Sequence, residues 1–325
     1  MKKILNIFVV SFALVFSSNL FANKIGVIYD SGGKFDKSFN ELAFRTAERV
    51  KNELGWDMIE FEAANNTQIE QGMRKVADRG ATLVVAMGFA QADAVAAIAP
   101  QYPDINFVAV DVCWVDDPAG NIYQACYLEH EGSFLVGVIA AMASQTGTIG
   151  FVGGMDIPLI RKFQGGYEQG ALHANPDIKI LANMTGTTPE AWNNPTKGAE
   201  LTKAQIDGGA DVVYQAAGGT GIGVLQAAAD AGIMGIGVDS NQNWMHPGNM
   251  LTSMLKRLDL TIFEQAEKVG KGSFESGINI LGLAEGMVGY ATEDGMVTSE
   301  MSAAADAAAA EIASGSLVVA DWSQE

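Results

Sequence analysis

One block of this sequence occurs twice, and it limits the folds open to the chain. DRGATLVVAMGFAQADAVAAIAPQYPDINFVAVD, Asp78 to Asp111, lines up with DGGADVVYQAAGGTGIGVLQAAADAGIMGIGVD, Asp207 to Asp239. Gly80 to Asp111 spans 31 positions and Gly209 to Asp239 spans 30, so the spacing matches where most residues do not. Each block runs apolar strand, helix, apolar strand, and closes in an aspartate. Short apolar strands between helices predict parallel sheets covered on both faces. The segments before each block extend the pattern. KIGVIYD reads as a strand, SFNELAFRTAERVKNELG as an amphipathic helix ending at Gly55, DMIEFEA as a strand and TQIEQGMRKVADRG as a helix. GTIGFVGGMDIPLIRKFQGGYEQGALHA reads as strand, glycine turn and helix, like the earlier YDSGGKFDKSFNELAF. The fold class is therefore α/β, with two similar Rossmann-like lobes. NMLTSMLKRLD, GINILGL, GMVGYA and a helix over Ser299 to Ala313 are expected to cross back between them.

Open α/β sheets bind ligands beyond the carboxyl ends of their strands. Two lobes facing each other by those edges would share one cleft. Asp30, Gly88-Phe89, Asp111, Gly153-Gly154, Gly218-Gly219 and Asp239 all fall at predicted strand ends.

The first 22 residues read as a signal peptide. Lys2 and Lys3 precede an apolar run from Ile4 to Phe16, and Ala22 is the expected cleavage point. No cysteine lies near it to carry a lipid, so a free periplasmic protein is expected. Loss of the two lysines takes the formal charge from −18 to −20. That charge argues against nucleic acid and anionic membrane surfaces as partners. The two cysteines, Cys113 and Cys126, can form a disulfide in an exported chain, worth roughly 3 kcal/mol in the chain-entropy model.

Several chemistries fail on spacing. Gly32-Gly33-Lys34 is followed by Phe35, not by the Ser or Thr of a phosphate loop, and two aspartates flank it. Asp30-Ser31-Gly32-Gly33 is a poor serine nucleophile in an α/β chain that has no G-x-S-x-G turn. Gly219, Gly221 and Gly223 miss the dinucleotide fingerprint by one residue. The histidines at 130, 173 and 246 form no metal-ligand pattern. No cofactor or catalytic set is expected.

The aspartates say more. A strand-end carboxylate can accept hydrogen bonds from vicinal hydroxyls, so Asp30, Asp111 and Asp239 around one cleft suit a polyol or an amine-bearing heterocycle. Each could instead cap a helix. Phe39, Tyr214, Trp192 and Trp244 are aromatic rings in or beside turns that could hold a flat base, and composition does not choose among them.

The strings DKSFNELAF, HEGSFLVG, GFVGGMDIP, GTTPEAWNNPTKGAEL, AAGGTGIGV, GVDSNQN and LTSMLKRLD resemble the basic membrane protein family. These are purine nucleoside receptor-like substrate-binding proteins of ABC importers, and the resemblance runs from about Lys24 to the C-terminus. It implies a type I periplasmic-binding-protein fold with three crossovers. The lobes are then expected over 23–128 plus about 254–285, and over 129–253 plus about 286–325. It also implies ligand contacts from Asp30 and Ser31, stacking by Phe39 beside Asn40, a base contact from Asp111 and backbone from Gly219. Tyr214, with Trp192 as competitor, would face Phe39, and Asp239 with Lys256 would hold a ribose. The implied partners are a nucleoside and a membrane permease with its ATPase, served by a monomer. A flavin, a free purine or a sugar remain alternative ligands, and a nucleoside-processing enzyme using Asp30 or Asp239 as base is the remaining alternative class.

Overall fold

The computed structural model describes residues 23–63 and 65–324. The anticipated signal peptide, 1–22, lies outside the described residues. The first lobe opens with β1 (Lys24–Tyr29), α1 (Phe39–Leu54), β2 (Asp57–Glu62), α2 (Ile69–Asp78), β3 (Leu83–Met87), α3 (Ala92–Ile98), β4 (Asn106–Val110) and β5 (Ile122–Tyr127). The second follows with α4 (Glu129–Ala143), β6 (Thr148–Met155), α5 (Pro158–Ala174), β7 (Lys179–Gly186), α6 (Pro195–Asp207), β8 (Val212–Ala216), α7 (Gly221–Asp230), β9 (Met234–Asp239) and β10 (Met250–Lys256). The chain returns to the first lobe for α8 (Leu258–Lys271) and β11 (Gly277–Leu281), then to the second for β12 (Val288–Tyr290) and α9 (Ser299–Ala313).

The two sheets share one plan. Their strand orders are β2-β1-β3-β4-β5-β11 and β7-β6-β8-β9-β10-β12. The first is parallel throughout, and only β12 runs antiparallel in the second. β3 is wholly apolar and buried on both faces, and β4 and β8 depart from that pattern only at Asn106 and Gln215, as a sheet between helix layers requires. Helix α1 buries one stripe and stops at Gly55, whose φ of 73° is the left-handed C-terminal turn that glycine supplies. Helix α8 packs on α1, with the Arg49 guanidinium 3.7 Å from the Phe263 ring centre.

Three crossovers join the lobes: at Leu128, at Arg257, and between β11 and β12. They are tied to one another. The Leu128 amide donates to the Leu281 carbonyl (3.0 Å) and the Arg257 amide to the Met287 carbonyl (2.9 Å). Glu131, in the first turn of α4, accepts from the Leu283 amide at 2.7 Å. These bonds gather the three short connections into one bundle between the lobes.

One local expectation is corrected. Gly153 and Gly154 do not form a turn; β6 continues through them to Met155. A side chain at Gly154 would lie 2.1 Å from the Trp192 ring, so the glycine is there to let that indole pack over the strand.

Candidate ligand-binding cleft

The carboxyl ends of the two sheets line a cleft whose space, counted out into open solvent, is about 530 Å³. Asp30, Phe39 and Asp111 line it from the first lobe, and Trp192, Asp239 and Lys256 from the second. Asp111 follows β4 and Asp239 ends β9, the equivalent strands of the two sheets. Both have left-handed backbones, with φ of 62° and 64°. Such a conformation costs a non-glycine residue on the order of 1 kcal/mol, and here the two lobes repeat it at the same place in the cleft.

None of the three strand-end aspartates caps a helix. Asp30 Oδ1 accepts from the Gly32 amide (2.8 Å) and from Asn40 Nδ2 (2.6 Å). Asn40 Oδ1 accepts in turn from the Asp30 amide at 3.1 Å. The capping carboxylate is Asp36, which accepts from the amides of Ser38 (2.8 Å), Asn40 (3.0 Å) and Glu41 (3.1 Å). Asn40 is therefore not at the cleft surface; it is fully buried and orients Asp30 from behind. Ser31 is half-buried, and its side chain is not among those lining the cleft.

Lys256 is the cation of the cleft. Its Nζ lies 2.5 Å from Asp111 Oδ1 and 2.9 Å from Glu129 Oε1, with all three side chains buried. Glu129 is shared with Lys162, which contacts Oε2 at 2.5 Å. Burial works to raise Glu129, but the two lysines outweigh it and hold the carboxyl at about 2. Burial works to lower Lys256, and Asp111 and Glu129 override it, so the ammonium is held above its ordinary value. Asp111 is pushed up to about 6 by burial, against the pull of Lys256. Burial also raises Asp30 and Asp239. The cleft thus has an excess of acceptors, and its one lysine is already neutralised by carboxylates.

The ring opposite Phe39 is corrected. Tyr214 does not reach the cleft. It is fully buried, its ring centre 5.1 Å from that of Tyr167 and 5.5 Å from that of Phe151, and its hydroxyl lies 3.2 Å from Ser133 Oγ. On β8 it points into the core, and the aromatic side of the second lobe is supplied by Trp192, with Phe163 beside it. Gly219 is buried, and its neighbour Gly218 forms the wall instead. A side chain at Gly219 would stand 3.2 Å from the Gly32 carbonyl, so it marks a close approach of the two lobes.

Cys113 and Cys126 are joined by a disulfide, Cα to Cα 5.6 Å. Two residues beyond Asp111, it ties the connection after β4 to β5. The Gln124 side-chain amide adds a second clasp, accepting from the Val115 amide (3.0 Å) and donating to the Val115 carbonyl (2.8 Å).

Sequence reasoning missed Asp36, Glu129 and Lys162. Glu129 had a signal: it opens a helix whose remaining residues are almost all apolar and buried, where an acid needs a buried cation. Among the described residues there is no cluster that could hold a metal ion and no helix long and apolar enough to cross a membrane.

Two α/β lobes joined by three crossovers, with a polar, aromatic-lined cleft at their strand ends, define a solute-binding protein of the type I periplasmic fold. The solute-binding protein of an ABC transporter from Aeropyrum pernix superposes with a TM-score of 0.83 at 26% identity, covering 93% of this chain and 94% of that one. A counterpart from Conexibacter woesei gives 0.74 at 25% identity, covering 93% and 99%. This chain belongs to the Bmp family of PnrA-like ABC transporter substrate-binding proteins, whose family model matches residues 22–321. Basic membrane protein A of Borreliella burgdorferi is 32% identical over 91% of this chain and 87% of its own length. The ABC transporter nucleoside-binding protein BmpA of Lactococcus lactis is 30% identical over 91% and 88%. An uncharacterized lipoprotein of Pyrococcus furiosus is 34% identical over 84% and 71%. The family is one of substrate-binding proteins for transport, not of enzymes, and such proteins work outside the cytoplasmic membrane.

Proposed function

We propose that this protein is a periplasmic nucleoside receptor, with purine nucleosides as its ligands, and that it delivers them as a monomer to an ABC permease and its ATPase. The observation that carries this reading is the pairing of chemistries in one cleft. Carboxylates stand at both lobes' strand ends, and Phe39 and Trp192 face in from opposite lobes. Aromatic faces suit a flat base, and carboxylates suit the hydroxyls of a ribose and the N–H groups of a base. Asp239 and Lys256 take the ribose in this reading, with Asp30 and Asp111 toward the base. Hinge closure over the ligand removes water from these bonds. The relative in Lactococcus lactis, named as nucleoside-binding, agrees with it.

A melting-temperature panel of nucleosides, free bases, flavins, pentoses and nucleotides, followed by calorimetry, tests the ligand class. A nucleoside at 100 times its dissociation constant should stabilise by about 2.7 kcal/mol. Nucleotides should bind at least tenfold more weakly than their nucleosides, because the phosphate would meet carboxylates and a lysine already paired. A flavin or sugar that shifts the melting point where no nucleoside does would sink this reading.

The raised aspartates predict opposite pH trends for stability and affinity. A carboxyl raised in the fold destabilises it when ionised, so the ligand-free protein gains stability as pH falls through the folded value. Ligand hydroxyls and base N–H groups alike need the ionised acceptor. Between pH 7.5 and 5.5, across the Asp111 value of about 6, the ligand-free melting temperature should rise while affinity falls several-fold. Glu129, held near 2, does not titrate in this window. Parallel trends in the two measurements would refute the assignment of these carboxylates as acceptors.

A further inference from the structure

Away from the crossovers, residues 37–38 of the first lobe meet residues 238–242 of the second. The Ser38 hydroxyl, with one proton to give, lies 2.8 Å from Asp239 Oδ2 and 3.0 Å from the Val238 carbonyl. The Lys37 carbonyl accepts from Ser240 Oγ at 3.2 Å and from Gln242 Nε2 at 2.9 Å. Lys37 has a left-handed backbone, φ 64°, which sets this carbonyl at its place against the second lobe. The Gln242 amide cannot turn freely: its Oε1 accepts from the Val238 amide (2.9 Å) and from Gln215 Nε2 (2.8 Å).

A serine just before a helix ordinarily caps it. Ser38 makes no such bond, because Asp36 already takes the first amides of α1. Its hydroxyl is fully buried and directed across the cleft. Asp239 Oδ2 is thereby occupied by the opposite lobe, and Oδ1 makes no hydrogen bond to the described residues.

We propose that Ser38 is a positioning residue for Asp239 and, with the Lys37 carbonyl, the latch on which the lobes close. This rests on the reading of Asp239 as a ligand acceptor. One carboxylate then senses both events. Ser38 reaches it only when the lobes are shut, and fixes the plane in which the other oxygen meets a ligand hydroxyl. A latch formed after encounter governs escape, not entry.

The test is stopped-flow binding of whichever panel ligand the wild-type protein takes up. Ser38→Ala should leave the association rate within about twofold and speed dissociation about tenfold. Its ligand-free melting temperature should stay near wild type, which separates the role from general destabilisation. Ser240→Ala, on the other half of the latch, should speed dissociation to a smaller extent, and it carries the test if Ser38→Ala does not fold. An unchanged dissociation rate in the variant tested, or a loss confined to association, overturns the proposal. Failure of wild type to bind any nucleoside would instead count against the nucleoside reading, since the rate ratio is measured with the ligand that does bind.

Discussion

Asp239→Ala is expected to weaken nucleoside binding by about 10²–10⁴-fold while leaving the ligand-free protein at least as stable as wild type. The loss follows from the chemistry of the contact. A hydrogen bond to a charged group contributes about 1.5–3 kcal/mol, and beside its bond to Ser38 the Asp239 carboxylate keeps lone pairs for both vicinal hydroxyls, so about 3–6 kcal/mol goes with it. The stability side follows from the same carboxylate. Asp239 is buried and raised by that burial, so its ionised form is a cost to the empty fold at neutral pH. Removing it relieves that cost, and the bond it gives up to Ser38 belongs to the closed lobes. Binding sites commonly trade stability for function in this way. Calorimetry with a ribonucleoside and its 2′,3′-dideoxy analogue checks the assignment. Wild type should discriminate strongly between them and the variant hardly at all. Unchanged affinity, or discrimination that survives the substitution, would remove Asp239 from the ribose.

The lobes were legible because the sequence repeats its spacing. Asp111 and Asp239 close matched blocks, and the structure puts them after equivalent strands with the same unusual backbone. What stayed hidden depended on contacts far apart in the chain. Val212–Ala216 is buried on both faces, so alternation could not say whether Tyr214 faced cleft or core. Gly153-Gly154 resembled a turn because nothing local shows that Trp192 needs the space above the strand. Asn40 sits beside Phe39 in sequence, but one step around a helix turns a side chain by about 100°, which takes Asn40 behind Asp30 and leaves Phe39 on the cleft. Ser38 stands at a position where serines commonly cap helices, and its bond to a residue 201 positions away has no local signature.

Lys256→Met is expected to be the most damaging single change to stability in the cleft. The substitution keeps length and apolar stem and deletes the charge. Asp111 then loses its 2.5 Å partner in a buried site, whereas Glu129 keeps Lys162. Breaking a buried pair from one side costs about 3–5 kcal/mol, because the remaining charge is uncompensated. The sign of the pH response identifies the cause. With Lys256 gone, nothing opposes the burial that raises Asp111, so its folded value climbs further from the unfolded one. The penalty is then full above that value and is relieved as pH falls through it. The variant should melt far below wild type at pH 8 and close much of the gap at pH 5.5. Adding Asp111→Asn should recover stability at pH 8 and flatten the pH response, since a neutral pair needs no counter-charge. Neither variant should bind ligand as wild type does, because both the lysine and the carboxylate line the cleft. If Lys256→Met melts within about 1 kcal/mol of wild type at pH 8, or if its deficit grows on acidification, Lys256 is not the counter-charge on which buried Asp111 depends.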